Sequence, residues 1–157
     1  MEYIRISDIN LDDYFFNSLR DEYFNFDKWF IKKKSNGSSA YVTYKNNNIS
    51  SFMMWKLEND EDYSDFSFKF QKCTKLKIQS FKVADVGIGI GTKFLEIINE
   101  EAIKNNVSLI YITLFPNHED LARFLIHNGF VEYGFKFTKR PNGRISQELV
   151  FIKKIVD

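Results

Sequence analysis

Cysteine is almost missing from this chain. Cys73 stands alone among 157 residues, which excludes an internal disulfide and any cysteine-rich metal site and suits a reducing compartment. An excess of charge of either sign is missing too. Lys and Arg number 22 against 21 Asp and Glu, for a net charge of +1. Such a balance gives no general attraction to nucleic acid or to anionic membrane, so neither is expected as a partner, although a local basic patch is not excluded by it. No stretch approaches about 18 uninterrupted apolar residues, and the amino terminus M-E-Y-I-R-I-S-D-I-N lacks the basic head and apolar run of a signal peptide. A cytoplasmic location is the resulting expectation. The two histidines and the carboxylates nowhere take metal-ligand spacing, so no metal is expected.

What is present is an ordinary globular balance, 44% hydrophobic and 27% charged, with an aromatic content of 17 Phe and 8 Tyr. The length fits one domain over residues 1–157. Met1 to Ser7 alternates as a half-buried strand does, and Asn10 is placed to cap a short helix over Leu11 to Leu19. A second helix is expected from about Asp21 to Lys33, where Tyr23, Phe26 and Phe30 recur at helical spacing; such a stripe is more often core than ligand cage. Lys32, Lys33 and Lys34 complement the dipole at its end. Ala40 to Lys45 and Ile49 to Glu58 read as two strands joined at Asn46, Asn47 and Asn48, because asparagine tolerates the left-handed backbone of tight hairpin turns. Asn59 to Thr74 begins acidic and then alternates Phe66, Phe68 and Phe70 against Ser67 and Lys69, which fits either an extra strand or a flap.

The stretch F-K-V-A-D-V-G-I-G-I-G-T, Phe81 to Thr92, organises the rest. A strand over Leu76 to Val83 passes through three alternating glycines into a helix that starts at Gly89 or Gly91 and runs to Asn105, with Phe94, Leu95, Ile97, Ile98, Ala102 and Ile103 inward. Glycines let backbone approach an anion, and the first N–H groups of a helix have no partner within it. A strand over Ser108 to Phe115 follows, so the two strands are expected to be parallel with a right-handed crossover. Asn117 is placed to cap the next helix, which ends at Asn128-Gly129. Val131 to Thr138 and Gln147 to Ile155 then alternate as two final strands around Arg140-Pro141-Asn142-Gly143.

In this order, the motifs F-K-V with G-I-G-I-G-T, L-I-Y-I-T-L-F-P and L-A-R-F-L-I-H-N-G-F resemble those of the GCN5-related N-acetyltransferase (GNAT) family over essentially the whole chain. The resemblance implies an α/β fold, a central mixed sheet of about six to seven strands flanked by about four helices. It implies acetyl-CoA as co-substrate. Its pantetheine arm would lie along Phe81, Lys82 and Val83, and its pyrophosphate on the amides of Ile88, Gly89, Ile90, Gly91 and Thr92. The chain departs from the family's pattern in three places. Val86 stands where the signature has Arg or Gln, in a loop about two residues shorter. Leu125 stands where a general-acid Tyr is frequent, and His118 where Asn is frequent. The central strand offers Lys75, Lys77 and Gln79 in place of a catalytic Glu.

Catalytic candidates are therefore His118, which could take a proton from an attacking amine through water, and Tyr133, with Tyr111 as another phenol. The bland readings are a solvent-facing residue in a first helical turn and core aromatics. His127 is read as complementing the helix dipole, and Asp60, Glu61 and Asp62 as a solvated loop. The first functional reading is an N-acetyltransferase acting on a small-molecule amine or peptide amine by direct attack. The alternative is a noncatalytic acyl-CoA sensor or protein-interaction module on the same fold. A nucleic-acid module is the third and is opposed by the near-neutral charge. Because sheet edges pair readily, the chain is expected as a monomer or a homodimer.

Overall fold

The computed structural model describes residues 1–155. Its strands are β1 (Glu2–Arg5), β2 (Ser39–Lys45), β3 (Asn48–Glu58), β4 (Lys75–Val83), β5 (Leu109–Leu114), β6 (Val131–Lys139) and β7 (Ile145–Lys154), and its helices are α1 (Asn17–Glu22), α2 (Phe26–Ser35), α3 (Ile90–Lys104) and α4 (Glu119–His127). The strands form one seven-stranded sheet in the order β1-β2-β3-β4-β5-β7-β6. The β4–β5 pair is parallel, while β1–β2, β2–β3, β5–β7 and β6–β7 are antiparallel. The described residues group into two compact units, Met1–Trp55 with Ser80–Glu96, and Lys56–Gln79 with the chain from Ile97 onward.

The first unit is built on the β2–β3 hairpin. Asn46 and Asn47 take φ of 54° and 67°, the left-handed pair that a two-residue turn with the twist of its strands requires. Phe16 lies fully buried at the centre of the core, with the rings of Phe26, Phe30 and Phe52 at centroid distances of 5.7, 5.4 and 5.4 Å. Each such contact contributes about 0.5–1.5 kcal/mol beyond the area it buries. The expected helix over Leu11 to Leu19 is replaced by turns and a short 3-10 turn at Tyr14–Phe16, and α1 begins only at Asn17. The cause is Asp13. Its carboxylate accepts from Phe15 N at 2.9 Å and from Ile49 N on β3 at 3.0 Å, which pins this segment in a turn that a continuous helix would break.

In the second unit the segment between β3 and β4 is neither a named strand nor a free flap. It is a strap lying along β6. Ser67 N donates to Phe135 O at 2.8 Å, Phe137 N to Asp65 O at 2.9 Å, and Phe135 N to Ser67 Oγ at 2.9 Å. The alternation foreseen for Phe66, Phe68 and Phe70 holds, since all three are half-buried against Leu109, Tyr111, Val150 and Ile152 while Ser67 and Lys69 are exposed. Lys75, only 1% exposed, clasps the two ends of the strap: its ammonium donates to Asn59 O at 2.9 Å and Cys73 O at 3.0 Å and stands 4.9 Å from the centre of the Tyr63 ring. A buried ammonium is tolerated where carbonyls and ring faces replace its water.

Helix α3 buries Phe94, Leu95, Ile98 and Ala102 as its periodicity foretold, but Ile103 is exposed. Helix α4 ends at Asn128 and Gly129, with Gly129 at φ 91°. Its cap position is His118, one residue beyond the expected Asn117, and no side-chain bond caps it.

Gly134 marks a close approach of strap and sheet. A Cβ there would stand 2.6 Å from Phe68 Cδ1 and 2.7 Å from Ser67 Oγ. Gly134→Val is expected to lift the strap and lower unfolding free energy by about 1–3 kcal/mol in urea titration; an unchanged midpoint would mean that the strap contributes no packing.

Candidate functional site

The glycine-rich loop belongs to the first unit. Gly87 and Gly89 hold φ of 88° and 82° with nothing within 4 Å of where a Cβ would sit, so the loop needs glycine for its backbone and leaves open space in front of it. Helix α3 starts at Ile90, and its first internal bond runs from Lys93 N to Gly89 O at 3.0 Å. The N–H groups of Ile90, Gly91 and Thr92 thus precede the helical ladder, at its positive end. Val86, at the signature position, is 77% exposed. A cation stands nearby all the same: Lys93, in the first turn of α3, lines an open pocket of about 420 Å³ together with Thr43, Tyr44, Ser50, Asp85 and Gly89. The sequence reading had not singled out Lys93.

Phe81, Lys82 and Val83 form the last part of β4. The ladder to β5 is registered from Lys75 with Leu109 to Ile78 with Ile112, and β4 runs on beyond it to Val83. The ring of Phe81 meets Phe94 edge-on at 5.6 Å. The Lys82 side chain is engaged within the fold, donating to Phe15 O and Ser18 Oγ and lying 4.2 Å from the centre of the Phe15 ring. Burial lowers its pKa. What these three residues offer a ligand is therefore backbone.

His118 and Tyr133 belong to the second unit. His118 is half-buried at the start of α4, its N–H donating to Phe115 O at 3.1 Å and its carbonyl accepting from Ala122 N at 3.0 Å. Tyr133 is 55% exposed and sits at the irregularity in the β6–β7 ladder, between Glu132 paired with Phe151 and Gly134 paired with Val150; its ring meets Phe68 edge-on at 4.8 Å. Tyr111, the other phenol, is fully buried with its hydroxyl committed to Glu58.

That last contact opens a site the sequence reading missed. Glu58, 4% exposed at the end of β3, accepts from Tyr111 and, at 3.0 Å, from Tyr63, and its other oxygen pairs with Lys56 at 3.0 Å. Burial pushes its pKa up, but the hydrogen bonds from Tyr111 and Lys56 and the charges of Lys77 and Lys56 outweigh it, so the carboxylate titrates below its ordinary value. Both phenols are pushed up, chiefly by burial and then by Glu58, and stay protonated donors. Lys77 on β4 shares this environment. Burial, then the nearby charge of Lys136, lowers it to about 8, against the opposing pull of Glu58. The only signal in the sequence was parity, since Met54, Lys56 and Glu58 alternate on one strand with no turn between them. Among the described residues no cluster of His, Cys, Asp and Glu could hold a metal ion, and no helix is long and apolar enough to cross a membrane.

No family model and no curated protein matches the sequence. Solved structures do match. The IAA acetyltransferase from Bacillus cereus aligns with a TM-score of 0.64 at 16% identity over 98% of this chain and 97% of its own. Arabidopsis thaliana Naa50, in complex with the bisubstrate analogue CoA-Ac-MVNAL, aligns with a TM-score of 0.59 at 20% identity over 99% and 100%. This chain has the GNAT fold. A GNAT-family acetyltransferase from Streptococcus agalactiae adds a TM-score of 0.61 at 15% identity, over 87% of this chain and 76% of its own. At these identities the likeness speaks for the GNAT fold and leaves the chemistry to this chain's own residues.

The low pKa of Lys77 has a consequence for stability. Between about 8 and its ordinary 10.5 the unfolded chain carries a proton that the native one has lost, so this group makes stability rise with pH across that window; below it, the buried ammonium is charged in both states and costs stability. Lys77→Met is therefore expected to raise the urea midpoint at pH 7 and to flatten the rise between pH 8 and 10.5. A lowered midpoint would mean that the ammonium is a net stabilising partner of Glu58.

Proposed function

We propose that this protein is an acetyl-CoA-dependent N-acetyltransferase that delivers the acetyl group to a primary amine by direct attack on the thioester. The observation that carries this reading is the open, positive-φ glycine loop leading into the unpaired N–H groups of α3 on a GNAT fold. Backbone amides at a helix start are suited to a pyrophosphate, and Lys93 adds the charge that Val86 does not supply. The backbone of Phe81, Lys82 and Val83, beyond the ladder to β5, suits the amide groups of a pantetheine arm, with Val83 N–H directed at the thioester carbonyl, where negative charge develops as the amine adds. The complex of Arabidopsis Naa50 with the bisubstrate analogue CoA-Ac-MVNAL supports the choice of cofactor.

Chemistry then needs the amine to lose its proton and the departing CoA thiolate to gain one. Holding the two reactants in line supplies much of the acceleration, so one modest base is enough. His118 at the start of α4 is the candidate for that base, acting through water. Tyr133, exposed on β6, is a candidate to protonate the thiolate. The noncatalytic alternative, an acyl-CoA sensor, is favoured by Leu125, which is fully buried and has no proton to give where the family's Tyr stands.

Titration calorimetry with acetyl-CoA, followed by thiol release over amines, polyamines and peptide N-termini, tests the reading. Gly89→Glu and Gly89→Gln impose the same backbone strain, but only the first adds charge, so the Glu variant is expected to lose at least about tenfold more affinity. Equal losses would place the phosphates elsewhere. With a turnover substrate in hand, His118→Ala is expected to lower turnover by about 10²–10⁴-fold with little change in acetyl-CoA affinity, and full turnover in that variant would remove His118 as the base. Binding without turnover of any amine would favour the sensor.

A further inference from the structure

The two edges of the sheet are treated differently. At one edge, β6 is covered by the strap, whose backbone and Ser67 hydroxyl engage Phe135 and Phe137. That is the usual protection of an edge against pairing with another chain. At the other edge stands β1, and among the described residues no backbone group pairs with its outer side.

The hydrogen bonds of β1 fix which of its groups face outward. Its register with β2 sets Glu2 against Val42, Tyr3 against Tyr41, Ile4 against Ala40 and Arg5 against Ser39. The next residue, Ile6, donates its N–H to Ser38 O at 2.9 Å. Inward bonding alternates along an antiparallel strand, so Ile4 and Glu2 also bond inward, and the N–H and C=O of Tyr3 and Arg5 point away from the sheet. A second antiparallel strand can bond only to those two residues. An exposed aromatic side chain stands on the same strand: Tyr3 is 59% exposed and lies against Tyr41 at 4.5 Å.

We propose that β1 pairs with β1 of a second copy of this chain, antiparallel about a two-fold axis at Ile4, continuing the sheet across the dimer. In this register Tyr3 of one copy and Arg5 of the other form the hydrogen-bonded pair, each exchanging both of its bonds, and Ile4 faces its own counterpart at the non-bonded position. The side chains agree with it. Ile4 packs against the apolar core of the first unit, so its symmetry mate extends that core, and the Arg5 guanidinium comes beside the Tyr3 ring on the exposed face, an attractive cation–π pairing. Shifting the register by two residues would set Glu2 opposite Ile4 on the apolar side, which the hydrophobic pattern opposes.

Sedimentation velocity on the whole chain is expected to give twice the 18.6 kDa chain mass. Arg5→Pro is the informative variant. Arg5 already has φ −68°, the value proline imposes, and its N–H faces outward, so the fold keeps its internal bonds while the dimer loses a donor at each end. It is expected to sediment as a monomer with its thermal midpoint within a few degrees of the wild type measured as monomer. Ile4→Cys tests the register separately: cysteines at the two-fold, non-bonded position are close enough to cross-link, so mild oxidation should give a covalent dimer, and Tyr3→Cys should give much less. A wild type that stays monomeric overturns the proposal, as does an Arg5→Pro variant that remains dimeric or a cross-link formed as readily through Tyr3→Cys.

Discussion

The parallel pairing of β4 with β5 is the constraint on which the rest depends. Two neighbouring parallel strands cannot be joined by a hairpin; the chain must cross over, and here it does so through α3. The crossover forces a strand end, a sharp turn and a helix start to follow one another within a few residues. Gly87 and Gly89 supply the left-handed backbone for that turn, and the amides of Ile90, Gly91 and Thr92 are left at the positive end of the helix. The same requirement that closes the sheet thus creates the element proposed above to bind an anion, before any side chain has been selected for chemistry.

The second unit handles an apolar sheet face with a strap where a helix would be the commoner cover. Four aromatic residues, Tyr63, Phe66, Phe68 and Phe70, supply the area, and Lys75 fixes both ends by donating to carbonyls of Asn59 and Cys73. Glu58 sits beneath it with two phenols and Lys56 as partners. A buried carboxylate stripped of such partners would cost several kcal/mol, about 3–5 by analogy with broken buried ion pairs, so the network ties the strap, through Tyr63, to Tyr111 on β5. It also places Lys77 in surroundings poor enough in water to bring an amine toward neutrality.

Much of this was legible in the sequence because it depended on local backbone chemistry. Asn46-Asn47 needs positive φ, as do Gly87, Gly89 and Gly129, and those residue types announce it. Among the described residues the seven strands and helices α3 and α4 fall where alternation and helical period put them, while α1 and α2 both start later than expected. What could not be read depended on partners distant in sequence. Asp13 resembles a first-turn helix residue until Ile49 N–H is brought to it from β3. His118 takes the cap position of α4 in place of Asn117, although it offers no capping bond. Glu58 reads only as the last residue of a strand, and the packing of Tyr63 and Tyr111 onto it is what makes it a buried charge. For the strap, the alternation of Phe66, Phe68 and Phe70 gave which side faces inward, and no local feature gave the strand along which it lies.

The central claim is that the start of α3 is where a CoA pyrophosphate binds. Titrating CoA into uniformly 15N-labelled protein and following the backbone amides measures this most directly. The account predicts that the largest shifts fall on Gly87 through Lys93, with inorganic pyrophosphate alone moving the same amides in the same direction, because both ligands bring anionic oxygens to the same N–H groups. Shifts concentrated away from this loop, or none at saturating CoA, would contradict it.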